Sequence, residues 1–315
     1  MSKKIPQIVK NIQNTIFNEI NYSYQKSISY SQLAMFTNCP HKWALQYRDG
    51  NYIYEQSINT LFGTAIHNTV QNYLTQAYNI NGAEANRIDL NEYLENELSR
   101  IYKESYISNN KTHFTNPAEL REFYDDGIEI LDFLKKRKNE YFNKNGWFLV
   151  GCEIPIQLIP NSDYKNVVYK GFLDMVLYHE PTNKFKIIDF KTSRAGWNDS
   201  AKKDELKQFQ LILYKYFFSI LHKIPIDNID IEFIILKRKL YDNCDFPQKR
   251  IQIFSPPSGK IKTKKALQLL DNFITSCFNI DGSYKTDIFE PTPNKTNCSY
   301  CPWKNKKDLC PKGIS

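Results

Sequence analysis

The sequence predicts the α/β class: a mixed central sheet flanked by helices, with a helical lobe ahead of the sheet. Three observations predict it. Apolar residues recur at helical spacing through much of the first 145 residues, β-branched and aromatic runs begin at Trp147, and a helical stretch separates the third of those runs from the fourth. In chain order, residues 5 to 20 carry a weak helical pattern. Ser29-Tyr30-Ser31-Gln32 matches a capping box ahead of Leu33, Met35 and Phe36, with Cys39-Pro40 inside or at the end of that helix. Leu61 to Tyr78 is periodic and contains Gly63-Thr64-Ala65-Ile66-His67. Residues 89 to 107 and 117 to 143 read as amphipathic helices on either side of the polar stretch Ser108 to Pro117. Candidate strands follow at 148 to 158, 167 to 178, 184 to 192, 228 to 241 and 249 to 254, with a helix at 202 to 222. A last helix, 261 to 278, precedes a Pro-rich linker and a cysteine tail, and no internal repeat is present.

The chain of 315 residues, 41% apolar, is long enough to bury a substantial core. Its net charge of +8 is compatible with a polyanionic partner without specifying one. The basic clusters Lys135-Lys136-Arg137-Lys138, Lys237-Arg238-Lys239 and Lys262 to Lys265 read as solvated faces, and most of the 21 tyrosines as core. The N-terminus, Met1-Ser2-Lys3-Lys4-Ile5-Pro6, is basic, but no apolar run approaches the roughly 18 residues a membrane span needs. A soluble, cytoplasmic protein is expected. Seven cysteines in such a compartment argue against a disulfide framework and for metal binding by any that cluster.

The densest chemistry lies in Gly171-Phe172-Leu173-Asp174 and Ile187-Ile188-Asp189-Phe190-Lys191-Thr192. On a strand, Asp189 and Lys191 share a face about 7 Å apart while Ile188 and Phe190 point the other way. His179 to Asn183 is rich in turn residues, so the two strands form a hairpin candidate. A four-residue turn, Glu180 to Asn183, faces His179 with Lys184, and the same register faces Asp174 with Asp189 with β-carbons about 5 Å apart. Adjacent carboxylates repel unless a cation or a shared proton lies between them. A hard divalent ion suits such oxygens, and Lys191 would orient a water or offset phosphate charge. A solvent-exposed Asp/Lys hairpin fits the spacing equally well.

The tail supplies a second constellation, Cys298-x2-Cys301-x8-Cys310. Three thiolates this close call for a metal and a fourth ligand. Cys39, also followed by Pro, is the best candidate, because Cys152, Cys244 and Cys277 fall in predicted strands or a helix among apolar neighbours. The spacing does not separate zinc from iron–sulfur. Either would join the two ends of the chain.

Taken in order, Cys39-Pro40, Gly63-x3-His67, Gly171-x2-Asp174, Asp189-x-Lys191, Gln210-x3-Tyr214 and the tail cysteines resemble the RecB-like branch of the PD-(D/E)XK nucleases. The groups it is most similar to are the CRISPR-associated RecB-like exonucleases and the AddB nuclease domain, which carry an iron–sulfur cluster. The resemblance runs from Ser29 to Pro311. It implies a restriction-endonuclease-like core and Mg²⁺ or Mn²⁺ held by His67, Asp174, Asp189 and the carbonyl of Phe190. Lys191 would position water or stabilise charge on the phosphate. Gln210 and Tyr214, one helical turn apart, would support the site and contact DNA. Glu153 stands where relatives often have a further acid. Cys39, Cys298, Cys301 and Cys310 would hold a structural [4Fe–4S] cluster. The implied activity is DNA exonuclease, on single strands or ends, in repair, recombination or CRISPR adaptation. The alternatives are a structure-specific or restriction-like endonuclease and a DNA-end-binding adaptor subunit of a helicase or CRISPR-adaptation complex. No G-x4-G-K-[ST] motif is present, so unwinding would come from a partner. The expected organisation is an N-terminal helical segment (1–60) giving one cluster cysteine, a helical lobe (61–145), the nuclease core (146–290) and a cysteine segment (291–315).

Overall fold

The computed structural model describes residues 4–53, 56–242 and 244–314; Met1 to Lys3 of the basic N-terminus lie outside them. The strands are β1 (Lys26–Ile28), β2 (Trp147–Leu158), β3 (Val167–His179), β4 (Lys184–Ser193), β5 (Ile229–Lys237) and β6 (Ile251–Phe254). The helices are α1 (Gln7–Gln13), α2 (Tyr30–Asn38), α3 (Pro40–Trp43), α4 (Ile58–Asn79), α5 (Gly82–Arg87), α6 (Leu90–Ser108), α7 (Pro117–Tyr141), α8 (Asp199–Lys203), α9 (Glu205–His222), α10 (Lys260–Cys277) and α11 (Lys295–Ser299). A π turn, Ala44–Arg48, continues α3. None of the described helices is long and apolar enough to cross a membrane.

The strands form one mixed sheet in the order β1-β3-β4-β5-β6, with β2 also paired to β3. β2/β3, β3/β4 and β5/β6 are antiparallel; β1/β3 and β4/β5 are parallel. The two faces bury different cores. Phe185, Ile187, Ile231, Phe233 and Ile235 pack on one side with residues of α1, α2, α9 and α10. Ile188, Phe190, Ile234, Leu236, Met175 and Leu177 pack on the other with α4, α5, α6 and α7. Strand alternation thus divides β4 and β5 between two helical layers, the arrangement a sheet buried on both faces requires.

β3 has two edges but three neighbours. β2 runs along one edge from Tyr169 to His179. The other edge is shared: β1 takes Val167 to Tyr169 and β4 takes Met175 to His179. Between them Lys170 to Asp174 has no strand partner on that side among the described residues, so β1 and β4 diverge as a fork.

Several sequence expectations need correction. The first helix spans only Gln7–Gln13, ending at Asn14, a weak helix former that caps it with its amide on the Lys10 carbonyl. The 202–222 helix is broken at Asp204, which ends α8 and caps α9 by accepting from the Leu206 and Lys207 amides. β5 stops at Lys237 because the next two amides, of Arg238 and Lys239, turn to the carbonyls of Ser193 and Arg194. Cys244 therefore lies in an irregular segment, not in a strand. The capping box is half made: Ser29 accepts from the Gln32 amide, but the Gln32 side chain donates to the Ser27 carbonyl and accepts from Trp43 Nε1. β1 and α5 were not foreseen.

Candidate active site at the fork

The hairpin folds in the register its turn dictates. Glu180–Thr182 forms a 3₁₀ turn, Asn183 adopts the left-handed conformation, and His179 pairs with Lys184. The ladder ends at Met175–Ile188, one pair short of Asp174 and Asp189. There the side chain replaces the backbone: the Phe190 amide donates to Asp174 Oδ2 at 2.7 Å, where a continuing ladder would have offered a carbonyl. Asp174 thereby sits at the point where the strands part.

Asp189 is 2% exposed and lies on the α9 face, with Phe190 turned to the α4 layer. Lys191 Nζ stands 2.7 Å from Asp189 Oδ2 and donates to Gln210 Oε1 at 3.0 Å. The Lys191 ammonium is thus the charge paired with this buried carboxylate oxygen. Gln210 Nε2 is 3.5 Å from the Tyr214 hydroxyl. The predicted i, i+4 pair on α9 thus stands behind Lys191. Tyr214 fills the fork beside Gly171: a β-carbon there would lie 2.8 Å from the Tyr214 ring, so any larger residue would expel it. Burial pushes the Tyr214 hydroxyl up to about 12, leaving it a neutral donor.

From the opposite layer, α4 brings His67 Nδ1 to 3.7 Å from Asp174 Oδ2. One turn further, Gln71 Nε2 donates to Glu153 Oε1 at 2.7 Å and to the Asp174 carbonyl at 2.9 Å. Burial, helped by nearby Lys191, pulls the His67 imidazole down to about 4. It is therefore neutral near pH 7, and its contact with Asp174 is not an ion pair. Asp174 is pushed well above the usual carboxylate range, first by burial and then by Asp189, with Glu153 adding to both and Lys191 and the Phe190 amide opposing them. Burial alone would pull Lys191 down, but the Asp189 carboxylate holds its ammonium above the ordinary value. The fork is thus a desolvated pair of acids with one ammonium beside it, in which Asp174 holds its proton more tightly than a carboxylate in water.

The donors suit a hard divalent ion, being two carboxylates and a neutral imidazole. Yet among the described residues no three His, Cys, Asp or Glu side chains are gathered closely enough to hold an ion as they stand. The same applies to the cysteines. Cys39, Cys298, Cys301 and Cys310 nonetheless line one small cavity with His41 and Trp303. Burial pushes the Cys310 thiol up, and Cys301, Cys39 and Cys298, in that order, push it further. Both His41 nitrogens face carbonyl oxygens, of Phe289 at 3.0 Å and Leu309 at 2.8 Å, away from the thiols. That leaves the four thiols as the donor set of the cavity. Cys277 is buried away from it at the end of α10, and Cys152 Sγ lies 3.6 Å from Thr75 Oγ1.

Two residues at the fork were not singled out in the sequence. Gln71 was foreshadowed only by its place one turn beyond His67. Tyr30, read solely as part of a cap, has a buried hydroxyl without a partner among the described residues, and its proton is held more tightly through burial and then the charges of Asp204 and Asp189.

No curated protein matches the sequence. Among solved structures, the chain resembles SSO0001 at 15% identity, over 98% of this chain and 96% of that one, with a TM-score of 0.39. It also resembles an exonuclease candidate from Eubacterium rectale at 13% identity, over 82% and 84% of the two chains, with a TM-score of 0.46. Neither likeness bears on the chemistry of the fork. The sequence profile of the PD-(D/E)XK nuclease superfamily, in contrast, matches residues 27–311, spanning α2, the fork and the cysteine tail. The chain belongs to the PD-(D/E)XK nuclease superfamily.

Proposed function

We propose that the protein is a Mg²⁺- or Mn²⁺-dependent DNA exonuclease of the RecB-like branch, acting on single-stranded DNA or DNA ends. The observation that carries this reading is the pair of acids, half-buried Asp174 and buried Asp189, at the strand fork beside the Lys191 ammonium. His67, Asp174, Asp189 and the Phe190 carbonyl would hold the ion. When bound, it supplies Lewis acidity and an acidified water for phosphodiester hydrolysis. The neutral imidazole of His67 keeps a lone pair available. Lys191, steadied by Gln210, offsets negative charge on a phosphate drawn to the acids. Glu153 adds a third carboxylate through Gln71, and Tyr214 donates from the fork toward the strand being cut.

In the same reading, Cys39, Cys298, Cys301 and Cys310 hold a structural [4Fe–4S] cluster, the four thiols of one cavity being a donor set that suits it. The proposed division is residues 1–60, 61–145, 146–290 and 291–315, with the cluster joining the first and last segments. DNA is the proposed substrate, and an unwinding or CRISPR-adaptation protein the proposed partner.

The test is cleavage of end-labelled linear and circular DNA, single- and double-stranded, with Mg²⁺ or Mn²⁺. The parent is expected to shorten linear DNA from its ends. Asp189→Ala and Lys191→Ala should each lose at least about 10²-fold in rate while still binding DNA. Wild-type-like cutting by either variant in Mn²⁺ would remove the site assignment. Cutting of closed circles would favour an endonuclease, and binding without cutting an adaptor.

A further inference from the structure

Glu153 is a non-glycine residue at φ 50° inside β2. Its neighbours Cys152 and Ile154 pair with Met175 and Leu173, but Glu153 itself is missing from the ladder opposite Asp174. A left-handed conformation costs a residue with a β-carbon about 1–2 kcal/mol, so something nearby must repay it. The group that meets Glu153 is Gln71, 6% exposed on α4. Its amide nitrogen donates to both the Glu153 carboxylate and the Asp174 carbonyl, and because both partners are acceptors they fix which end of the amide faces them.

We infer that Gln71 is a positioning residue of the nuclease site, which bridges β2 and β3 at the fork and so holds the Glu153 carboxylate beside Asp174. Three features converge on this. The double donor spans two strands at the residue where their ladder is interrupted. The strained backbone turns the Glu153 side chain toward α4 rather than along the alternation of β2. His67 lies one turn earlier on the same helix, so α4 reaches the Asp174 side chain and its main chain with two residues of a single face. The bridge gathers a third acid, which adds to the negative charge felt by Asp174. A shift of α4 would then move His67 and Glu153 together.

The inference rests on the nuclease reading, and a double-mutant cycle separates the two. Gln71→Met keeps length and apolar volume but removes the donor; Glu153→Leu removes both the charge and the acceptor. Each single variant is expected to lower kcat about 10- to 100-fold, with KM for DNA unchanged, as loss of an orienting partner does. Mn²⁺ affinity, read from the free-ion electron paramagnetic resonance signal without DNA, should weaken in both. The double variant should be no worse than the poorer single one, because the two changes break one bridge. Thermal unfolding of the same four proteins reads the bridge independently of catalysis and should show the same coupling. A kcat for Gln71→Met equal to the parent's, or additive losses in rate and Mn²⁺ affinity, overturns the inference while leaving the nuclease reading intact. A parent that cuts no DNA with either metal overturns both.

Discussion

Gly171 shows how one missing side chain can hold a site open. The Tyr214 ring occupies the space a β-carbon would take, and Tyr214 stands behind Gln210 and Lys191. Gly171→Ala is expected to push the ring out, costing about 1–3 kcal/mol by overpacking, measured by denaturant unfolding. Activity should fall further than this loss of stability alone explains. His222 carries a different prediction. Its imidazole, pulled down to about 4 by burial, has Nε2 without a partner among the described residues and packs edge-on to Phe218. The folded value lies below the unfolded value of about 6.5, so the unfolded chain binds the extra proton more readily. The neutral form's contribution is complete above pH 6.5 and is lost as pH falls toward 4. His222→Phe, compared with the parent by melting temperature across that window, should show the shallower decline. An identical decline would mean that other groups carry the acid sensitivity.

At the scale of elements, the helical lobe is fastened to the sheet by Asp126 of α7. Its carboxylate, 5% exposed, takes Arg238 at 2.7 Å and Lys239 at 2.8 Å just beyond β5, and the Arg238 guanidinium lies 3.6 Å over the Phe123 ring. Removing one partner of a buried pair leaves charge uncompensated. Asp126→Ala should therefore cost about 3–5 kcal/mol in denaturant unfolding, and a loss below about 1 kcal/mol would mark the pair as solvent-screened. The hairpin was legible because its turn has a fixed count of residues and strand register follows from that count. The fork was not, because sequence shows that β3 is a strand but not that two strands share one of its edges. β1 and α5, of three and six residues, are too short for periodicity to register. Asp174, Asp189, Lys191, Gln210 and Tyr214 were visible as spaced motifs and meet at one place; Gln71 was not, since its role depends on an interruption in β2 that no residue type announces.

At the scale of the molecule, the cysteine cavity lies where the N-terminal and C-terminal segments meet. Anaerobically purified protein is expected to be brown and to contain iron and sulfide, with Cys301→Ser losing both and melting at a lower temperature. Colourless protein containing zinc would identify the metal as zinc instead. The contacts of His41 matter here apart from any metal. The imidazole meets a carbonyl 268 residues away in sequence, while Thr292 Oγ1 and Asn297 Nδ2 donate back to the Asn38 carbonyl. Such distant pairings are the slowest to form, since the intervening chain must be ordered before they close. On the ribosome, α2 and α3 would thus emerge early and wait, finding Phe273, Phe278 and Tyr284 first and the Leu309 carbonyl and the Thr292 and Asn297 donors last. A protein stalled before residue 290 would have Phe36 and Trp43 packed on α10 but would lack the fastening of Asn38 and His41 to the tail, leaving the end of α2 and the start of α3 open to chaperones and proteases.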